Sequence, residues 1–252
     1  MDYGLKNKNV LITGSTKGLG KAIAKVLSEE GANVVICGRS QEDADRVAEE
    51  IKVQNGVQTV GIASDLLKKG AAEMLFTESI KQFGKLDILV NNAAIWPTAY
   101  VADMEKEEFE KTMYLNLEVP YILSRMMVDH LLQRDEKGKI IHIVSQAAFR
   151  GSTTGHAHYA AAKAGLITFM VSHAREVAKY GININAVAPG IMKTDMIASQ
   201  LEEKEAYYKN RIPLGRVAEA EEVAYAVAYL ASNKADYLTG ITIDATGGML
   251  MR

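Results

Sequence analysis

Runs rich in Val and Ile punctuate the chain at Asn9 to Thr13, Asn33 to Cys37, Val57 to Ala63, Leu86 to Val90, Lys139 to Val144, Ile182 to Val187 and Ile241 to Asp244. Their apolar positions are nearly continuous rather than alternating, which suits strands buried on both faces and hence a parallel sheet covered by helices. Between them, helical spacing runs over Gly18 to Glu30, Gln41 to Gln54, Lys68 to Phe83, Glu105 to Gln133, Ala157 to Tyr180 and Glu219 to Ala231. Ser40 with Asp43 reads as a helix N-cap, and Gly31 and Gly181 stand where helix C-caps belong. Strand and helix therefore alternate. With right-handed crossovers this predicts an α/β fold, a doubly wound parallel sheet of about seven strands with helices on both faces. Its ligand site belongs outside the carboxyl ends of the strands, near the switch in strand order.

Composition narrows the class. The chain has 252 residues, 48% apolar and 24% charged, with no linker-like stretch, so disorder is out and a single domain over 1–252 is expected. Lys and Arg number 29 against 31 Asp and Glu, so no overall field draws it to nucleic acid or an anionic membrane. The apolar runs are strand-sized, short of the ~20 residues of a membrane span. Cys37 has no partner for an internal disulfide, and Met1 to Lys6 lacks the pattern of a signal peptide, which points to a cytoplasmic setting.

Directly after the first run comes Thr13-Gly14-Ser15-Thr16-Lys17-Gly18-Leu19-Gly20, opening a helix. Glycines let a diphosphate approach the backbone, and the helix start offers free N–H groups and the positive end of its dipole. The spacing is G-x-x-x-G-x-G; a tight structural turn is the other reading. At the end of the second run an acid usually meets an NAD ribose. Here stand Cys37-Gly38-Arg39-Ser40, with Lys17 in the first turn, a set suited to the 2′-phosphate of NADP(H). Solvated surface cations are the alternative.

Tyr159 and Lys163 lie four apart in a predicted helix, on one face. A phenol has a pKa near ~10, and a neighbouring ammonium favours its ionised form. Together with the other motifs, the pair makes the chain resemble the short-chain dehydrogenases/reductases over nearly its whole length. Thr13 to Gly20 is similar to the family's T-G-x-x-x-G-x-G, Asn91-Asn92-Ala93 to its N-N-A-G, and Pro189-Gly190-Ile191-Met192-Lys193-Thr194 to its P-G-x-x-x-T, with Ala94 in place of the usual Gly. Asn116, Ser145, Tyr159 and Lys163 resemble its catalytic tetrad.

The resemblance implies a Rossmann-type fold and an NADP(H)-dependent enzyme interconverting a carbonyl and a secondary alcohol. Tyr159 moves the proton, Lys163 tunes it and holds ribose hydroxyls, Ser145 orients the substrate oxygen, and Asn116 holds a water linking Lys163 to solvent. Gly14, Ser15, Lys17, Gly18, Leu19, Gly20, Arg39, Ser40, Asp65, Asn91, Ala93, Pro189, Gly190, Ile191 and Thr194 complete the implied cofactor site, with Asp65 at the adenine and Ile191 and Thr194 at the nicotinamide end. Ser152, Thr153 and Thr154 are other hydroxyls in the loop between Ser145 and Tyr159.

A substrate lid is expected over about 193–212, and Trp96, Tyr100, Phe149 and Met192 are candidate apolar walls. Within the family, Ala160 to Leu166 and Thr239-Gly240 look most like bacterial β-ketoacyl-carrier-protein reductases. That implies an acyl-thioester substrate, with an acyl carrier protein as partner and a homotetramer as assembly. Arg125, Arg134, Lys137, Lys139 and Arg175 are the residues available for an acidic carrier, with Asp129, Asp135 and Glu136 among them. Sugars, steroids and other small-molecule alcohols are the alternative substrates, and a non-catalytic NADPH sensor is the alternative of another class. His130, His142, His156, His158 and His173 show no metal-ligand spacing, so no metal is predicted.

Overall fold

A computed structural model describes residues 2–152, 154–194 and 206–252. Thr153 and most of the expected lid, 195–205, lie outside the described residues. The strands are β1 (Asn9–Ile12), β2 (Asn33–Gly38), β3 (Thr59–Ala63), β4 (Ile88–Asn91), β5 (Gly138–Ile143), β6 (Ile182–Pro189) and β7 (Thr242–Ala245). They form one seven-stranded sheet in the order β3-β2-β1-β4-β5-β6-β7. Every pairing is parallel; Ile12, for example, lies opposite Ile36 on one side and Val90 on the other. The expected doubly wound sheet is thus the observed one.

The continuous apolar runs divide by the two-residue period of a strand. Val10, Ile12, Val34, Ile36, Ile88 and Val90 join one core, and Leu11, Val35, Cys37 and Leu89 join the other. Each fully buried Val, Ile or Leu contributes about 1.5–3 kcal/mol, so neither face tolerates a polar alternation. The first core is closed by α1 (Gly18–Glu29), α2 (Gln41–Asn55) and the helix spanning Ala220–Ala231, and the second by α3 (Ala71–Phe83) and the long helices that follow β4 and β5. Ser40 caps α2 by accepting from the Asp43 N–H at 3.2 Å, and Gly31 and Gly181 adopt φ of 84° and 74°.

One helical expectation is corrected. Glu105 to Gln133 is not continuous: it is α4 (Lys106–Met113), a π turn (Tyr114–Glu118) and α5 (Val119–Gln133). Pro120 sits in the first turn of α5 and has no N–H for the carbonyl of Asn116, so the α ladder cannot pass this point unbroken. After β5 a short α6 (Ala147–Arg150) precedes α7 (Ala157–Val177); the Ala220–Ala231 helix is α8. The carboxyl ends of β1 and β4, where the strand order reverses, open on one cleft.

Candidate active site

The cleft has a volume of about 890 Å³, within the usual range for small-molecule and cofactor sites. At its floor the β1–α1 turn is locked to β4. The Thr13 hydroxyl accepts from the Asn92 and Ala93 N–H groups, both at 2.9 Å, while Asn92 Nδ2 donates to the Thr13 and Gly14 carbonyls at 2.9 and 3.1 Å. A Cβ on Gly20 would lie 2.2 Å from the Gly14 carbonyl oxygen, and Gly14 and Gly18 have φ of 64° and 55°. No side chain caps α1, so its first N–H groups face the cleft lined by Gly18, Leu19 and Gly20. This cradle suits an anion, and its glycines are sterically required. Ser15 behaves differently from the expectation: its buried hydroxyl donates to the Ile12 carbonyl and accepts from the Cys37 N–H, both at 2.8 Å. It staples β1 to β2 and does not line the cleft.

Toward β2 the cleft is lined by Lys17, Gly38, Arg39, Ser40 and Asp65. Neither Lys17 nor Arg39 forms an ion pair among the described residues, although Lys17 lies close enough to Asp43 to help lower its pKa. One acid is present that the strand-end reading passed over. Asp43 lines the same end, but its carboxylate is 2.8 Å from Arg46, and that hydrogen bond chiefly holds its pKa below the ordinary value. Thr16 fills the space above Gly38, where a Cβ would lie 2.4 Å from its methyl group.

Ser145, just past β5, and Tyr159, in α7, line the opposite wall; Ala93, Pro189, Gly190, Ile191 and Thr194 line the space between. Lys163 and Asn116 stand behind the wall. Lys163 is 2% exposed, with Nζ donating to the Ile143 carbonyl at 2.8 Å and lying 5.7 Å from the centre of the Tyr159 ring. Buried Asn116 donates through Nδ2 to the Ile95 and Thr112 carbonyls, each at 3.0 Å. Asn91 faces the second core, where Nδ2 donates to Ser124 Oγ and His142 Nδ1, both at 3.2 Å. Burial holds that histidine neutral by pushing it down to about 3.

Burial pushes the Tyr159 phenol up to about 12, against the pull of the neighbouring Ser145 hydroxyl, and pushes Lys163 down to about 7. With Nζ turned to the Ile143 carbonyl, burial dominates at the phenol and favours its protonated form. That state suits a proton donor.

Of the four expected apolar walls, Trp96 and Met192 line the cleft. Tyr100 is 60% exposed away from it, and Phe149 lies 3.8 Å beneath the Arg252 guanidinium. Residues not singled out from the sequence also belong to the site: Thr13, Thr16, Asn92 and His156. Thr13 and Asn92 lay inside recognised motifs, whereas His156 carried no signal of its own.

A family described as enoyl-(acyl carrier protein) reductase matches residues 14–250. The chain is 39% identical over 249 residues to a 3-oxoacyl-[acyl-carrier-protein] reductase of Aquifex aeolicus, covering 99% of this chain and 100% of that one. It is 38% identical to the Haemophilus influenzae protein of the same name, covering 98% and 100%. The solved structure of a short-chain type dehydrogenase/reductase from Mycobacterium marinum superposes with a TM-score of 0.91 at 28% identity, covering 98% of this chain and 97% of that one. The chain belongs to the short-chain dehydrogenase/reductase family. As a short-chain dehydrogenase/reductase it is an oxidoreductase acting on CH–OH and C=O groups, and the glycine cradle fits the nicotinamide dinucleotide such enzymes use. No helix among the described residues is long and apolar enough to cross a membrane. Nor do three His, Cys, Asp or Glu side chains gather there as a metal site.

Proposed function

We propose that the protein is an NADPH-dependent reductase that converts a ketone to a secondary alcohol, with 3-oxoacyl thioesters as its leading substrate class. The observation that carries this reading is the placement of the Tyr159 phenol beside Ser145 on the wall of the cleft whose floor is the Gly14–Gly20 cradle. The cradle and α1 N-terminus would hold the diphosphate, Lys17, Arg39 and Ser40 the 2′-phosphate, Asp65 the adenine, and Ala93, Pro189, Gly190, Ile191 and Thr194 the nicotinamide end. When bound, the cofactor supplies the hydride. Ser145 orients the substrate oxygen, and Tyr159 gives it a proton. A phenol at about 12 remains a stronger acid than water, whose pKa is ~15.7, so transfer to a developing alkoxide runs downhill. Lys163, one helical turn on, returns the proton to Tyr159, and Asn116 links Lys163 onward to water.

The relatives' names support the thioester. Support for a carrier protein is thinner: Arg134 is tied to Glu136 through two contacts of 3.3 Å, and Lys139 to Asp236 at 2.6 Å, leaving Arg125, Lys137 and Arg175 for an acidic partner. A single domain, a cytoplasmic setting and a homotetramer belong to the same reading. The first is supported by the one continuous sheet, and the last by exposed Tyr225 and Tyr229 one turn apart on α8.

The test is NADPH absorbance with acetoacetyl-N-acetylcysteamine and a panel of sugar and steroid ketones. NADPH is expected to exceed NADH in kcat/KM by about 100-fold, since two charge-assisted contacts contribute ~1.5–3 kcal/mol each before solvent screening. Lys17→Ala with Arg39→Ala should bring the two cofactors near parity. Equal kcat/KM in the wild type would remove the 2′-phosphate assignment, and NADPH binding without turnover of any ketone would return the protein to the sensor class.

A further inference from the structure

His156 immediately precedes α7 and lines the cleft three residues before Tyr159. It is only 4% exposed and is held from several sides. Nδ1 lies 2.8 Å from the Pro97 carbonyl oxygen. A carbonyl only accepts, so Nδ1 carries the proton and, in the neutral ring, Nε2 keeps its lone pair. The ring stacks on the Trp96 indole with centroids 4.0 Å apart and planes 24° apart. The backbone is pinned as well: Ala99 pairs with His156 in a parallel bridge, the Ala99 N–H donates to the Gly155 carbonyl at 2.8 Å, and the His156 carbonyl accepts from Ala160 at 3.0 Å. Burial, chiefly, lowers the imidazole's pKa, with the neighbouring His158 acting in the same direction and the Pro97 carbonyl against it.

Nε2 is the unused atom of this assembly. His142 Nε2 and His158 Nδ1 are sealed without a hydrogen bond, and His158 Nε2 faces the Glu108 carboxylate at 3.4 Å, whereas His156 Nε2 is neither hydrogen-bonded among the described residues nor sealed, in a side chain that lines the cleft. A rigid acceptor that neither rotates nor changes tautomer favours a ligand bringing a donor, and disfavours one that strips its water without replacing the bond.

We infer that His156 Nε2 is the specificity-determining acceptor of the site, selecting ketones that carry a hydroxyl or amide N–H near the carbonyl reduced at Tyr159. The inference rests on the reductase reading and names the substrate feature which that reading leaves open. Two substrates offer such a donor: a hydroxyketone, and a thioester whose arm carries an amide.

Two matched pairs separate them. Acetoin against 2-butanone tests the hydroxyl, and acetoacetyl-N-acetylcysteamine against the S-ethyl thioester of acetoacetate tests the amide. The wild type is expected to favour the donor-bearing member of one pair by about 100-fold in kcat/KM, and that pair identifies the source. His156→Phe keeps a ring against Trp96 but has no acceptor; it should erase the preference, bringing the two members of that pair to within about threefold of each other in kcat/KM. His156→Gln, with an amide oxygen for the ligand and an N–H for Pro97, should recover part of it. Equal loss on both members in His156→Phe, or no preference in an active wild type, overturns the inference and leaves the reductase standing. A wild type that oxidises NADPH with none of these four, yet reduces a sugar or steroid ketone of the wider panel, overturns the inference alone; one that reduces no ketone at all removes both.

Discussion

Tyr159→Phe is expected to lower kcat by about 1000-fold or more, while the Kd for NADPH stays within about twofold. The substitution deletes one oxygen and keeps the ring, so the packing of α7 on the sheet is retained. The deleted group is the proposed proton donor, and the one polar contact that acts on it is Ser145. Among the described lining residues on this wall, the Ser145 hydroxyl is the nearest substitute, and an aliphatic hydroxyl is a far weaker acid than a phenol. The proposed cofactor anchors lie elsewhere, in the Gly14–Gly20 turn and at Lys17 and Arg39, and the substitution leaves them untouched. Fluorescence titration with NADPH beside steady-state turnover separates the two effects. Turnover near the wild-type level would rule out Tyr159 as the acid, and lost NADPH binding would mean that the variant had disturbed more than a proton.

The strands and most helices were legible because their signals are local. Val34 and Val35 read as buried on both faces without any knowledge of their neighbours, and Ser40 and Gly181 mark caps from their own chemistry. The break at Tyr114–Glu118 was legible only in Pro120, a residue easily absorbed into a long amphipathic stretch. The site divided in the same way. The glycines and the Tyr159–Lys163 spacing were readable in the sequence, but the direction of each side chain was not. Ser15 turns into the gap between two strands, Asn91 toward α5, and Lys163 toward Ile143, each because a buried backbone or side-chain partner waits there. His156 was silent in sequence because Trp96, Pro97 and Ala99, which hold it, are some sixty residues away and meet it only when the loop after β4 folds against the start of α7.

Lys163→Met is expected to abolish turnover and yet raise the stability of the cofactor-free protein, by an amount that depends on pH. Burial lowers the Lys163 pKa from 10.5 to about 7, so between those values the unfolded chain binds more protons than the folded one, and wild-type stability rises with pH across that window. Below about 7 the folded protein carries a buried ammonium and the full penalty. At roughly 1.4 kcal/mol per unit, this is a few kcal/mol. Methionine has a similar length, packs readily and does not titrate, so the variant escapes the penalty. It also loses the hydrogen bond to the Ile143 carbonyl, at about 1–3 kcal/mol if that oxygen is left unpaired. The variant should therefore exceed the wild type by about 2 kcal/mol at pH 6, or roughly 4–8 °C in Tm, with the gap closing or reversing by pH 10. Thermal unfolding at pH 6, 8 and 10 measures it. A gap of constant size would show that the ammonium is already solvated or paired in the fold. A gap that closes with pH would place Lys163 where its packing alone does not explain it: a charge that burial opposes, one turn from the phenol proposed as the proton donor.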